Sequence, residues 1–238
     1  MNKIFIHGGS SEITKYLIGY LYDTFDEFHI FARNIEKAKK NLITYEKKII
    51  YYQNNLDDLD QSLKHAKSLP NDITSLIWLS GDTGDSNLEF SNFDLCKKTI
   101  DVNFRNVVLL LNYILKNKFL ITKNSFLCGF TSTAGLRGRK LRTFYGAAKA
   151  GFINYLSSLR QKYNNKMLIM TIIPGYMRTN KHTLNTSSFI TSSAEKSAKI
   201  IFTSIKKRKE IVFIDYKWSL IMKIILLIPE KIFKKFNF

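Results

Sequence analysis

The run Ile4-Phe5-Ile6-His7-Gly8-Gly9-Ser10-Ser11-Glu12-Ile13-Thr14, IFIHGGSSEIT, passes from an apolar stretch through two glycines and two serines into a helical pattern. A strand, a tight turn and a helix, in that order, present backbone amides at a helix start to a phosphate. The turn is poor in glycine for that task, because Glu12 sets a carboxylate where a pyrophosphate would approach. Its reading therefore depends on what surrounds it.

Beyond this turn the chain alternates. Apolar runs predict strands over 3–7, 27–32, 48–53, 75–80, 124–130, 168–173 and 210–215. Helical periodicity fills stretches near 11–22, 34–46, 57–68, 91–118, 143–164 and 193–207. Strand and helix in turn predict an α/β fold: one doubly wound, Rossmann-like parallel sheet of about seven strands with helices on both faces. The run LIMTII at 168–173 is apolar throughout, as a strand buried on both faces requires. In such a sheet a ligand sits beyond the carboxyl ends of the strands, where strand order reverses. A chain of 238 residues accommodates one such domain, expected over 1–216, followed by an amphipathic apolar and basic tail over 217–238.

With 45% hydrophobic and 24% charged residues and three prolines, the composition is that of a globular chain and excludes a disordered one. Cys96 and Cys128 stand singly and far apart, so neither a disulfide framework nor a metal cluster is expected, and a reducing, cytoplasmic setting is. The first residues enter a strand at once, with no basic and apolar leader, so no secretory signal is expected. The formal charge of +18 invites nucleic acid or an anionic membrane. Most of the excess is lysine scattered among Asn and Ile, no nucleic-acid motif is present, and no nucleic-acid partner is expected.

Chemistry concentrates after the fifth strand. Phe130-Thr131-Ser132-Thr133-Ala134-Gly135 leads to Tyr145-Gly146-Ala147-Ala148-Lys149, which opens a helix. Tyr145 and Lys149 are four apart and share one helix face. A lysine held near a phenol is expected to lower its pKa towards a working pH, where it serves as general acid or base. Ser132, at the strand end, can hydrogen-bond the same substrate oxygen. Alone, a Tyr and a Lys at this spacing are usually an exposed pair.

In combination these pieces resemble the short-chain dehydrogenase/reductase family over nearly the whole chain. The landmarks arrive in the family's order: HGGSSEI at the first turn, Leu79-Ser80-Gly81, Val102-Asn103, Ser132 thirteen residues before Tyr145, and Pro174-Gly175-Tyr176-Met177-Arg178-Thr179 after the sixth strand. The resemblance implies an Asn103–Ser132–Tyr145–Lys149 tetrad. Tyr145 would exchange a proton with a carbonyl oxygen, Ser132 would polarise that carbonyl, Lys149 would hold the nicotinamide ribose, and Asn103 would keep a water in the proton path. It implies cofactor contacts from Gly8, Ser10, Ser11, Glu12, Ile13, Gly81, Asn103, Tyr145, Lys149, Pro174, Gly175, Met177 and Thr179, with Asn55 and Leu56 flanking the adenine. Of the family's Gly-x-x-x-Gly-x-Gly, only Gly8 is kept, with Glu12 and Thr14 at the other two positions. The second strand ends Phe31-Ala32-Arg33-Asn34 with no acid, which favours NADP(H), Arg33 meeting the 2′-phosphate with Asn34 beside it.

The last stretch, KWSLIMKIILLIPEKIFKKFNF over 217–238, sets lysines beside aromatic and aliphatic residues. Its apolar run spans about half a bilayer core as a helix, so it does not cross a membrane. It suits peripheral contact with an anionic membrane surface or a subunit interface. Reductases of lipid-linked keto-sugars look similar at this end and in the first turn. The expectation is an NADP(H)-dependent ketoreductase with a lipophilic or lipid-linked carbonyl substrate, such as a keto-sugar, in a homo-oligomer at the cytoplasmic face of a membrane. A reductase of soluble carbonyls or acyl thioesters, an epimerase or dehydratase, and a non-catalytic NADP-binding regulator stay open. The stretch 179–193 is expected to cover the substrate with Leu184, Phe189 and Ile190.

Overall fold

Along Lys3–His7 the side chains alternate between two apolar layers, as a strand buried on both faces must. Ile4 and Ile6 join Leu17, Ile18 and Ile201 on one side, while Phe5 joins Leu110, Ile114 and Phe152 on the other. This strand sits at the centre of a computed structural model that describes residues 1–85, 87, 91–177 and 191–236.

The described strands are β1 (Lys3–His7), β2 (Glu27–Ala32), β3 (Ile49–Gln53), β4 (Ile73–Trp78), β5 (Phe126–Phe130), β6 (Leu168–Ile173), β7 (Tyr176–Met177), β8 (Thr191–Ser192) and β9 (Ile211–Phe213). Seven of them form one sheet in the order β3-β2-β1-β4-β5-β6-β9, every pairing parallel, while β7 and β8 pair separately. The expected doubly wound sheet is present, with its order reversing between β1 and β4. The helices are α1 (Glu12–Leu21), α2 (Ile35–Leu42), α3 (Leu59–Lys67), α4 (Phe93–Ile100), α5 (Asn106–Asn117), α6 (Thr143–Lys162), α7 (Ala194–Lys206), α8 (Tyr216–Leu227) and α9 (Glu230–Phe233). Apolar faces of α1 and α7 cover one side of the sheet, and those of α3, α5 and α6 cover the other.

Side-chain oxygens set several helix starts. Ser11, Asn34, Asp58, Asn92 and Ser193 each accept a bond from a backbone N–H of the first turn, satisfying a donor that the helix itself leaves free. Two expected helices are interrupted. The stretch near 34–46 becomes α2 followed by a 3₁₀ segment over Ile43–Lys48. The single helix expected over 91–118 is broken by a π-turn over Asp101–Arg105, where the Asn106 N–H reaches back five residues to the Asp101 carbonyl. Apolar periodicity runs through the break, so no gap in the pattern announces it. The expected strand edges also move: β3 starts at Ile49, β4 spans Ile73–Trp78, β5 starts at Phe126 and β9 is confined to Ile211–Phe213.

The segment over 217–236 is not free of the body. Trp218 and Met222 of α8 and Phe233 of α9 are buried. The Trp218 ring meets Tyr176 edge-on at 5.5 Å. Its indole lies so close to Gly175 that a Cβ there would come within 2.0 Å of Nε1. The outward row of α8 stays apolar, with Leu220 at 60%, Ile224 at 58% and Leu227 at 83% exposure.

Candidate active site

The turn after β1 holds its shape without the usual glycines. Gly8 has φ +109°, a conformation that side chains disfavour. The N–H groups of Gly8 and Gly9 both donate to the Phe31 carbonyl of β2, at 2.9 and 3.0 Å. Where a third glycine was expected, Thr14 is buried and its hydroxyl donates to the Gly8 carbonyl at 2.8 Å, tying helix to turn. Ser11 caps α1 by accepting the Ile13 N–H at 3.3 Å. Glu12 occupies the exposed first turn, where the helix dipole favours an acid, and borders the cavity that the turn opens onto.

That cavity, about 380 Å³, lies across the carboxyl ends of β1 to β4, the place the strand reversal predicts. Gly8, Ser10, Ser11, Glu12, Ile13, Arg33, Asn55, Leu56, Gly81 and Met177 of the expected contacts all line it. Two features suit a phosphate-bearing ligand there. Arg33 and Lys37 bring cationic groups to the β2 end, and the buried Ser80 Oγ has no hydrogen-bond partner among the described residues. Arg33 lies 4.0 Å from the Asp82 carboxylate, with both side chains about half exposed. Asn34 departs from expectation: its side-chain oxygen accepts the Lys37 N–H at 2.8 Å, capping α2, and it does not line the cavity. Lys37, three residues on, does line the cavity. The Leu56 carbonyl is held by the Asn106 amide at 2.8 Å.

None of the four expected tetrad residues lines that cavity, but Asn103 and Lys149 close on Gly81, which does. Asn103 is fully buried in the π-turn, and its amide donates to the Asp82 and Thr99 carbonyls at 2.6 and 2.8 Å while its oxygen accepts the Asp82 N–H at 3.1 Å. The turn therefore aims Asn103 at the loop after β4. A Cβ on Gly81 would come within 2.8 Å of Asn103 Oδ1 and 2.9 Å of Lys149 Nζ, so both side chains close on that glycine. Ser132 leaves β5 extended, its hydroxyl accepting the Ala134 N–H at 3.1 Å and lying near enough to the Tyr145 phenol to favour its ionised form. Lys149 is buried, donates to the Phe130 carbonyl at 3.2 Å and stands 5.8 Å from the Tyr145 ring centre.

Electrostatics here reverse one expectation. Burial pushes the Tyr145 pKa above its ordinary value, and the Ser132 hydroxyl, Arg142 and Arg139 only partly offset that. Lys149 is not among the groups that shift it, and burial lowers its own pKa to about 8. At neutral pH the phenol keeps its proton.

Several positioning residues escape a reading by motif. A Cβ on Gly135 would strike the Lys149 and Ala150 backbone at 2.7 and 2.8 Å, and one on Gly146 would come within 2.9 Å of the Ala134 carbonyl. These glycines let the turn after Ser132 press against α6 beside Tyr145. Arg139 donates to Thr133 Oγ1 at 3.2 Å. Pro174 accepts the Thr133 N–H at 3.1 Å, and Gly175 is given over to Trp218. Thr179, Leu184, Phe189 and Ile190 lie outside the described residues. Among the described residues no group of His, Cys, Asp and Glu is placed to hold a metal, and no helix is long and apolar enough to cross a membrane.

Comparison with known proteins adds three findings. A family model described as short chain dehydrogenase matches residues 2–188. Among curated proteins, an acetoacetyl-CoA reductase of an Acinetobacter species is 24% identical over 127 residues, 53% of this chain and 51% of the relative. A 3-oxoacyl-[acyl-carrier-protein] reductase of a Synechocystis species is 27% identical over 126 residues, 52% of this chain and 51% of the relative. The chain thus spans about half the length of the curated relatives it matches. Among solved structures, ElxO with NADP bound superposes with a TM-score of 0.73 at 18% identity, over 92% of this chain and 99% of that one, a likeness of fold.

Proposed function

We propose that this chain, which belongs to the short-chain dehydrogenase family, is an NADP(H)-dependent oxidoreductase that reduces a ketone on a lipophilic or lipid-linked molecule such as a keto-sugar. The observation that supports this reading is that Asn103 and Lys149 close on Gly81 of a cavity that Arg33 and Lys37 also line, with the Ser132 hydroxyl near enough to Tyr145 to act on its phenol. The dinucleotide supplies hydride chemistry when bound. Ser132 orients and polarises the ketone oxygen, and Tyr145 gives that oxygen its proton as the carbon is reduced. Lys149 holds ribose hydroxyls from the cavity floor, and Asn103 keeps the proton path to solvent by a water. Ser10, Ser11, the amides at the α1 start and Ser80 meet the phosphates, while Arg33 and Lys37 meet the 2′-phosphate. A bound NADP in ElxO supports the choice of dinucleotide.

A screen of NADPH oxidation over prenyl-linked keto-sugars and 3-oxoacyl thioesters tests the proposal. The second arm has its own support, since both curated relatives are named for 3-oxoacyl thioester reduction. Tight NADPH binding with no ketone reduced would point instead to a regulator. For the cofactor, Arg33→Ala is expected to weaken NADPH binding roughly tenfold and leave NADH binding nearly unchanged, as loss of one partly exposed charge-assisted contact should. Equal loss for both dinucleotides in titration calorimetry would remove Arg33 from the 2′-phosphate.

A membrane surface is the proposed place of work. The outward row Leu220, Ile224 and Leu227, with Lys223, Lys231, Lys234 and Lys235 nearby, has the apolar and cationic composition of an interfacial surface. Cosedimentation with vesicles containing phosphatidylglycerol is expected, and replacing Leu220→Glu together with Leu227→Glu is expected to abolish it. Retention of the double variant on vesicles would leave this face to the second copy of a homo-oligomer, which ultracentrifugation without lipid reads directly.

A further inference from the structure

Between α8, α9 and the loop that carries Arg137 and Arg139 lies a second cavity of about 300 Å³, within the range of small-ligand sites. Its walls are Trp218, Met222 and Ile225 of α8, Phe233 of α9, Tyr176, and the guanidinium groups of Arg137 and Arg139. The two arginines differ. Arg137 is spent on the wall: it pairs with Glu230 at 2.7 Å and stacks 4.2 Å over the Phe233 ring, joining the loop after Ser132 to α9. Arg139 has a hydroxyl partner, Thr133 Oγ1 at 3.2 Å, and no carboxylate partner among the described residues. The same guanidinium that borders this apolar space also bears on Tyr145, whose phenol it helps to acidify.

We infer that this cavity receives the apolar tail of an anionic amphiphile, with Arg139 meeting an acidic group that joins the tail to the ketone-bearing head. The inference rests on the proposed reductase reading and deepens it by naming the order of parts: ketone at Ser132 and Tyr145, acid at Arg139, tail along Trp218, Met222 and Ile225. A partly buried guanidinium with no carboxylate partner among the described residues favours an anionic ligand, and its planar fork suits a phosphate or carboxylate. An apolar wall beside it accepts a chain or ring with no polar groups to satisfy. A phosphate joining a prenyl chain to a sugar has this order. A 3-oxoacyl thioester of coenzyme A has the reverse, its phosphates lying beyond the ketone from the acyl tail.

The test uses the full chain, NADPH, and geranyl phosphate below its micellar range. Geranyl phosphate is expected to shift the Trp218 emission, with geraniol binding at least tenfold more weakly. Arg139→Gln should erase that difference while NADPH affinity stays the same. Geraniol binding as well as its phosphate, or an unchanged preference in Arg139→Gln, would overturn the assignment, as would acetoacetyl-CoA displacing geranyl phosphate equally from wild type and variant. Ile225→Trp, which fills the cavity from the α8 side, should abolish the emission shift, and Trp218→Phe identifies the reporter. Failure of NADPH to bind would sink the reductase reading; failure of geranyl phosphate with NADPH bound would sink only this inference.

Discussion

Tyr145→Phe is expected to lower turnover of the ketone by about a thousandfold or more while NADPH affinity changes less than about twofold. The substitution removes one hydroxyl from a ring that stays packed, so the loss falls on proton transfer and not on the fold. Ser132 keeps its bond to the Ala134 N–H, which holds the turn after β5 in place. The direction of the Tyr145 shift makes a second, independent demand. Because burial raises the phenol's pKa, the group is a proton donor across the neutral range and a base only above it. Ketone reduction should therefore be nearly flat through neutral pH and fall on the alkaline side, as the phenol loses its proton. Alcohol oxidation should rise with pH over the same range. A reduction rate that climbed with pH, or a Tyr145→Phe variant with half of the wild-type turnover, would take the proton away from Tyr145 and leave Ser132 or a water as its source.

The sign of that pH dependence comes from burial, which no spacing reveals. A spacing of four from Tyr145 to Lys149 places both on one face of α6, and the structure keeps them there. How deeply that face is buried depends on β5, the π-turn and the loop after β4, three segments distant in sequence. So the shared helix face of Tyr145 and Lys149 was legible and the sign of the phenol's shift was not. The same division runs through the fold. Apolar runs bounded by turns located all seven strands of the sheet, because a strand buried on both faces must be apolar whatever its neighbours are. Thr14 shows the reverse: its hydroxyl bond to the Gly8 carbonyl stabilises the turn by a contact that only the folded chain contains. Asn34 is a case in which local chemistry won, since an asparagine before a helix is a good cap and its oxygen is used there. In α8, an apolar sequence around the whole helix left open which face would be covered. Trp218 settled it by occupying the space above Gly175.

Gly135→Val carries the second large effect, and it tests whether Ser132 and Tyr145 are positioned by contact between the turn and α6. A Cβ at residue 135 would lie 2.7 Å from the Lys149 carbonyl carbon, 2.8 Å from the Ala150 nitrogen and 2.9 Å from the Ile153 side chain. Two of those atoms are helix backbone and cannot rotate away, so the turn must retreat from the helix. Overpacking of this kind costs about 3 kcal/mol at the upper end of its usual range, which for a chain of this size lowers Tm by roughly 6–12 °C. The kinetic loss should exceed what stability explains. Moving the turn carries Ser132 away from the phenol, and a displacement near 1 Å costs on the order of a hundredfold in rate. We expect a folded variant at low temperature with kcat down about a hundredfold and NADPH affinity little changed, because Gly135 does not line the dinucleotide cavity. Gly135→Ala should fall between the two. If the valine variant loses stability yet keeps its kcat at a temperature where it is folded, the hydroxyl and phenol are aligned by the strand end alone, and the glycine serves packing without serving the chemistry.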